Sequence, residues 1–220
     1  MLRWSWFATL HATLAVAIFA IGLPATVTAI HDLTFYSRVD PSGSLARWQG
    51  ADTLAELERE APRTAAQGRD LAFALLAHGD DSDLSNANQT RVVAQAARGF
   101  RDYLAQVPAD SQAWAGLASA EIRLGELGAG AEALRMSILT APWSNALVQW
   151  RCGMGIDLFG VLNAEERELM KGQFRVAAQR SASTLAQTVI RRNGTRTARL
   201  FLASSPDELI KFEAELAKRH

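Results

Sequence analysis

Residues 96–142 read AARGFRDYLAQVPADSQAWAGLASAEIRLGELGAGAEALRMSILTAP. Two prolines in this stretch, Pro108 and Pro142, are 34 residues apart. The positions that lead into each proline correspond at the same spacing, in the pairs Ala96 and Gly130, Phe100 and Leu134, and Tyr103 and Ser137. A fixed period of this length is typical of a repeated helical hairpin. The stretch therefore predicts an all-α fold.

The spacing has a physical cause in the way two helices cross. A first helix presents an apolar face around Trp114, and a small residue at Gly130 lets the second helix approach closely, so that Leu134 packs into the crossing. Proline ends each second helix because it lacks an N–H group and disfavours the helical conformation of the residue before it. Residues 111–142 are thus one complete hairpin, and residues 92–108 are the second half of the preceding one.

The first helix of the complete hairpin also carries a known pattern. Trp114, Leu117, Ala118 and Glu121 occupy the tryptophan, leucine, glycine and aromatic positions of W-x2-L-G-x2-Y, the last two with substitutions. The chain therefore resembles the tetratricopeptide repeat (TPR) proteins. The resemblance implies a short array of hairpins, in which the first helix of each lines a partner-binding groove. The groove positions are Gln112, Ala115, Ser119, Ile122 and Arg123.

These groove positions lack the asparagine and the several lysines of the TPR grooves that clamp a carboxylate. Arg123 is left with two interpretations, because it either holds an acidic group of the partner or is simply solvated.

The N-terminal segment is the second strong signal. Residues 4–30 contain no Asp, Glu, Lys or Arg, and about 20 apolar residues suffice to cross a bilayer as a helix. Trp4 and Trp6 lie at the start of the segment, where aromatic rings favour the membrane interface, and Arg3 precedes them. This predicts a transmembrane anchor in residues 1–30, with contact to the lipid bilayer through residues 4–30. Because Arg3 precedes the span, the preference for positive charge on the cytoplasmic side predicts that the C-terminal part lies in the periplasm of a bacterium. The chain is then a single-pass inner-membrane protein.

A cleaved signal peptide is the competing interpretation of the same residues. Pro24 interrupts the apolar run, and Val27-Thr28-Ala29 offers the small residues that a signal peptidase reads, with cleavage after Ala29. Both interpretations export the remainder of the chain.

The remainder divides into three parts. Residues 31–62 are predicted to be a linker with a short helix from Asp52 to Glu60. Residues 63–192 form a TPR-like α-helical domain, and residues 193–220 form C-terminal capping helices. Within them we expect helices at residues 63–78, at 144–159, and from Asn163 to Arg180 or onward to Arg192. Asn163 and Glu166 have the spacing of a capping box. A short segment at residues 197–203 follows, and Ser205-Pro206 opens the last helix with a hydroxyl cap.

Composition limits the chemistry. The formal net charge is zero and the pI is about 6.9, so no general field attracts nucleic acid. The single cysteine, Cys152, reads as a small buried residue on a helix. Asp80, Asp81 and Asp83 lack the glycine and distal glutamate of a calcium loop, and read as solvated turn residues. Because no known catalytic or metal motif occurs, we predict no enzyme, no metal and no cofactor.

A basic cluster is the other candidate site. It consists of Arg191, Arg192, Arg196 and Arg199, around the turn at Asn193-Gly194. Such arginines often only favour a helix C-terminus and solubility. The functional interpretation is contact with anionic lipid headgroups, an acidic polysaccharide or an acidic partner surface.

The order of one apolar span followed by a short array resembles membrane-anchored TPR proteins of the bacterial envelope. Residues 131–142, Trp150-Arg151 and residues 158–162 are also similar to accessory proteins of exopolysaccharide or O-antigen biosynthesis loci. These resemblances imply a non-enzymatic scaffold that recruits a membrane protein or an envelope-assembly partner, as an accessory to polysaccharide biosynthesis or export. The alternative is a soluble periplasmic binding or carrier protein. The oligomeric state is left open.

Overall fold

The computed structural model describes residues 64–79 and 84–219. This part of the chain is entirely helical, and the predicted all-α class is confirmed for it. Its helices, in chain order, are α1 (Ala65–His78), α2 (Asn86–Leu104), α3 (Ser111–Leu124), α4 (Leu127–Thr140), α5 (Val148–Asp157), α6 (Ala164–Arg191), α7 (Thr195–Leu202) and α8 (Pro206–Ala217). The predicted anchor, the linker helix and Asp80, Asp81 and Asp83 lie outside the described residues. None of these eight helices combines the length and the apolar character that a membrane crossing requires.

The helices pack as successive hairpins. Within each hairpin α1 packs on α2, α3 on α4, and α5 on α6. The hairpins stack because α2 also packs on α3, while α3 contacts both α1 and α5. The last two helices, α7 and α8, pack on α6. Helices that follow one another in sequence are thus neighbours in space.

The close crossing expected at Gly130 is present. A methyl group on Gly130 would lie 3.1 Å from Ile122 Cγ1 and 3.5 Å from the Ala118 carbonyl oxygen. Leu134 packs beside it with 1% of its surface exposed. Gly99 has the same role in the preceding hairpin, because a methyl group on Gly99 would lie 3.1 Å from Ala72 Cβ. Small residues on the second helix therefore set the distance between helices in both hairpins.

Side-chain caps fix where four of the eight described helices begin. The Asn163 side chain accepts a hydrogen bond from the Glu166 amide at 3.0 Å, and the Asn163 amide donates to Glu166 Oε2 at 2.8 Å, so the predicted capping box is confirmed. Gly125, with φ of 81°, ends α3 in the left-handed conformation that favours glycine.

The hydroxyl cap predicted at Ser205 is wrong. Pro206 does open α8, but the Ser205 side chain makes no capping hydrogen bond. The reason lies in the backbone, since Ser205 has ψ of 74° where the capping residue of α1, Thr64, has the extended value of 155°.

Candidate functional site

A kink divides α6 at the point where it forms a cleft with α5. Ser181 has non-helical dihedrals, φ −159° and ψ 86°, and divides α6 into two segments. Its Oγ accepts a hydrogen bond from the Thr184 amide at 3.2 Å, so it caps the second segment as a serine caps a separate helix. The second segment, residues 182–191, thereby takes its own direction against α5.

A cleft of about 530 Å³ lies between α5 and this second segment. One wall consists of Thr184, Thr188 and Arg191, which share a helix face because they are four and three residues apart, with Arg192 next to them. The opposite wall is provided by residues 149, 150 and 153 of α5, which are glutamine, tryptophan and glycine. We refer to this site as the α5/α6 cleft. It has the size of a small-ligand site, for which about 300–1,000 Å³ is usual.

The two arginines of the cleft differ in their electrostatic partners. Arg192 Nη1 pairs with the Asp157 carboxylate, which neutralises its charge. The Arg192 side chain lies directly over Gly153, where an added methyl group would come within 2.9 Å of Arg192 Nε. Arg191 is exposed and has no ion-pair partner in residues 64–79 and 84–219. The cleft therefore carries one uncompensated positive charge.

The α5 wall also holds an unsatisfied polar atom. Gln149 Oε1 is buried and accepts no hydrogen bond from the described residues. A buried acceptor without a partner costs about 1–3 kcal/mol, so such atoms are rare unless something outside the protein supplies a donor.

The opposite face of α5 is anchored by a residue that the sequence analysis missed. Arg151 has no exposed surface. It donates hydrogen bonds from Nε to Ser137 Oγ at 3.0 Å and from Nη1 to the Ala141 carbonyl oxygen at 2.9 Å. Desolvation lowers the Arg151 pKa to about 10. These bonds satisfy carbonyl groups at the C-terminal end of α4, and they fix the helix whose other face lines the cleft.

Only part of the predicted basic cluster enters the cleft. Arg191 and Arg192 line it. Arg199 instead forms a two-bond pair with Glu213 of α8, at 2.6 Å from Nε and 2.9 Å from Nη2, and this pair raises the Arg199 pKa. Arg196 is exposed on α7. Two of the four arginines thus line the cleft, and the other two do not.

Of the five predicted groove residues on α3, one is buried. Ala115 has no exposed surface, so it cannot contact a partner. Ile122 packs against Gly130. Arg123 Nη1 donates to the Leu76 carbonyl oxygen at 2.7 Å, so it joins α3 to the end of α1, a role that neither interpretation of the sequence anticipated. Of the five residues, Gln112 is exposed, and Ser119, Ile122 and Arg123 are partly exposed.

A different groove is open on the first hairpin. It lies between α1 and α2 and encloses about 480 Å³. Its apolar side is formed by Leu71 and Leu75 of α1, and its polar side includes Gln95, Arg98 and Asp102 of α2. We refer to it as the α1/α2 groove. The sequence could have indicated it, because Arg98 and Asp102 are four residues apart and lie on the same helix face as Gln95.

Two further sequence predictions can be compared with the structure. Cys152 is fully buried, as expected, and desolvation raises the pKa of its thiol, which disfavours the reactive thiolate. In the described part of the chain, no three His, Cys, Asp or Glu side chains are grouped to hold a metal ion.

Comparison of the chain with known protein families, with curated proteins and with solved structures gave no match.

Proposed function

We propose that this chain is a non-enzymatic, TPR-like interaction module of the bacterial cell envelope, and that the α1/α2 groove receives a helix of its partner. The observation that carries this proposal is the groove itself, with leucines on one side and a polar row on the other. An amphipathic helix binds such a groove by laying its apolar face on the floor while its polar residues meet the rim. Arg98 and Asp102 offer one charge of each sign to orient it.

The repeat register supports the same function. The positions that correspond at 34 residues, among them Ala96, Phe100 and Leu134, are all buried in the crossings between helices. Stacked hairpins of this kind leave helix faces exposed along the array, and solenoid proteins use these extended surfaces for binding.

We further propose that residues 1–30 tether the module to the inner membrane, with the helical domain in the periplasm. A tether confines the module and its membrane partner to one surface, which raises their effective concentration, so a weak groove suffices. The second resemblance stated above suggests the class of partner, a membrane component of a polysaccharide biosynthesis or export system.

Site-specific photocrosslinking tests the groove. A photoreactive amino acid is placed at Gln95 in the groove, or at Gln112 on α3, and the full chain is irradiated in a bacterial host. We expect an adduct from position 95 that is lost when Asp102→Lys reverses the charge of the rim. An adduct from position 112 alone would indicate that the partner binds to α3 instead. An adduct from position 95 that Asp102→Lys does not affect would exclude the α1/α2 groove as the binding site.

A soluble periplasmic ligand-binding protein is the second candidate function, and the α5/α6 cleft favours it, because a cleft with an uncompensated arginine suits a small anion. Intact mass and membrane partition separate the two candidates. A full-length product that resists carbonate extraction supports the tethered module, whereas a soluble product that begins at Ile30 supports the carrier.

A further inference from the structure

We propose that the α5/α6 cleft binds an acidic sugar, through the carboxylate and the hydroxyl groups of a uronic acid, either free or as a unit of an acidic polysaccharide. This inference rests on the second candidate function, ligand binding, and is independent of whether a protein partner occupies the α1/α2 groove.

The charge of the cleft selects a single carboxylate. Arg191 supplies one uncompensated positive charge, while Arg192 is neutralised by Asp157. A guanidinium matches a carboxylate well, because two parallel N–H groups can bond its two oxygens. A phosphate monoester carries nearly two negative charges near neutral pH. The single uncompensated charge of the cleft balances only one of these, so the cleft favours a singly charged group.

The unsatisfied Gln149 Oε1 on the α5 wall favours a ligand that also carries a hydrogen-bond donor. Gln149 Oε1 is buried without a hydrogen-bond partner among the described residues, and an ionised carboxylate, which only accepts, cannot satisfy it. A sugar hydroxyl can. Thr188, which is 7% exposed, offers a further hydroxyl on the opposite wall, and Thr184 Oγ1 lies 2.7 Å from Ser181 Oγ. The ligand therefore has an anionic group and at least one hydroxyl group.

The shape of the cleft indicates that the ligand also contains a ring. Trp150 lines the α5 wall and is partly exposed, and an indole offers an extended apolar surface with a polar edge. The C–H face of a pyranose ring packs on such a surface. The volume of about 530 Å³ is also larger than a bare carboxylate fills. A uronic acid combines the ring, the hydroxyl groups and the single carboxylate.

Titration calorimetry on the full-length protein, in a mild non-ionic detergent, tests the proposal with five probes: galacturonate, trigalacturonate, galactose, acetate and glucose 6-phosphate. We expect galacturonate to bind, and galactose and acetate to bind too weakly to measure. Trigalacturonate that binds tighter than galacturonate assigns the ligand to a polysaccharide, and equal affinities assign it to the free sugar acid. Both results support the shared chemistry.

Two matched variants locate the site. Arg191→Gln should weaken galacturonate binding about tenfold or more, since a charge-assisted hydrogen bond is lost. Arg196→Gln makes the same change in charge at an exposed position that does not line the cleft, and its affinity should stay within about twofold of wild type by the same arithmetic. Equal losses of affinity in the two variants would mean that positive charge anywhere on the surface attracts the sugar. This result would overturn the assignment of the site to the cleft.

A third variant separates binding from folding. Gln149→Leu removes the unsatisfied acceptor, so the variant should unfold at the same or a higher urea concentration than wild type, yet lose galacturonate binding. Unchanged binding would refute the role of Gln149. Preferential binding of glucose 6-phosphate or galactose would keep the ligand-binding function and overturn the acidic sugar. Binding of none of the five probes would count against both.

Discussion

Arg151 Nε lies 3.0 Å from Ser137 Oγ, and neither residue has exposed surface. Ser137 Oγ in turn donates to the Ser111 carbonyl oxygen at 2.7 Å, so this pair connects α3, α4 and α5. Gln173 of α6 completes the junction by donating to the Pro142 carbonyl oxygen at 3.0 Å. A polar junction of this kind is stable when its members are satisfied and costly when one is removed.

Arg151→Met should therefore destabilise the fold. The methionine fills much of the volume, but it leaves the Ala141 carbonyl group without the donor from Arg151, and a buried acceptor without a partner costs about 1–3 kcal/mol. Urea unfolding monitored by circular dichroism would measure the change. Arg180→Met, at an exposed position of α6, is the control and should change the free energy of unfolding by less than about 0.5 kcal/mol. Equal midpoints for the two variants would contradict a structural role for Arg151.

Leu134→Ala tests the repeat register. Leu134 is 1% exposed at the crossing of α3 and α4, and a core leucine replaced by alanine usually costs about 2–5 kcal/mol. Leu139→Ala is the matched control, since Leu139 lies on the same helix with 47% of its surface exposed and should cost less than about 0.5 kcal/mol. The difference between the two urea midpoints is the measurement. A Leu134→Ala midpoint close to that of wild type would contradict the register.

Gly116→Ala and Gly172→Ala should change stability in opposite directions. A methyl group on Gly116 would come within 2.5 Å of Phe100 Cζ, in a crossing where Phe100 also contacts Phe73 edge to face. Overpacking of this kind costs about 1–3 kcal/mol. Gly172 has no atom within 4 Å of an added methyl group, so alanine there should stabilise α6 by about 0.5–1 kcal/mol. The midpoint of thermal unfolding should fall for Gly116→Ala and rise for Gly172→Ala. A higher midpoint for Gly116→Ala would contradict the close packing described for this crossing.

The Asp110 carboxylate should make stability depend on acid pH. Burial alone would raise its pKa, but hydrogen bonds from the Ala113 amide, Tyr103 and Arg69 outweigh it, so the pKa in the folded state is lowered. The unfolded chain then takes up the proton more readily than the folded one. The stabilising contribution is therefore complete above the unfolded pKa of about 4 and is lost as the pH falls through the lower folded value.

Asp110→Asn should remove this dependence. We expect it to cost about 1 kcal/mol or more at pH 7, because asparagine can still cap α3 but loses the charge-assisted hydrogen bond from Arg69, and progressively less as the pH falls from 4 to 2. Urea unfolding at pH 7, 4 and 2 would measure the slope. Glu132→Gln, at an exposed position, should leave it unchanged, and an unaltered slope in Asp110→Asn would assign the acid sensitivity to other carboxylates.

The sequence predicted the helices better than it predicted the sites. Spacing and capping residues are local signals, so the hairpin of residues 111–142 and the capping box at Asn163 follow directly from them. The sequence leaves the continuation of α6 to Arg191 open, because no proline or glycine marks the kink at Ser181. The site predictions depended on contacts between distant residues. Nothing near Arg123 in sequence shows that the Leu76 carbonyl group will accept its hydrogen bond.

The role of Arg151 also depends on contacts that the sequence does not show. Its position between Trp150 and Cys152 was the one local signal of a buried polar contact. Its acceptors on α4, at Ser137 and Ala141, are identified only by the turn that brings α5 back across the end of α4. The α5/α6 cleft was missed for a similar reason, since the residues of its two walls are 31 to 43 positions apart in the sequence.

The Arg151 junction also determines where this protein can be divided. A fragment that stops at Pro142 would leave the last carbonyl groups of α4 without their donor, and a fragment that starts at Ser144 would carry a buried cation without its acceptors. The connection between α4 and α5 is therefore not a domain boundary, although its proline and exposed Trp143 resemble a linker. Truncation, domain exchange or insertion is better placed at a different turn of the chain.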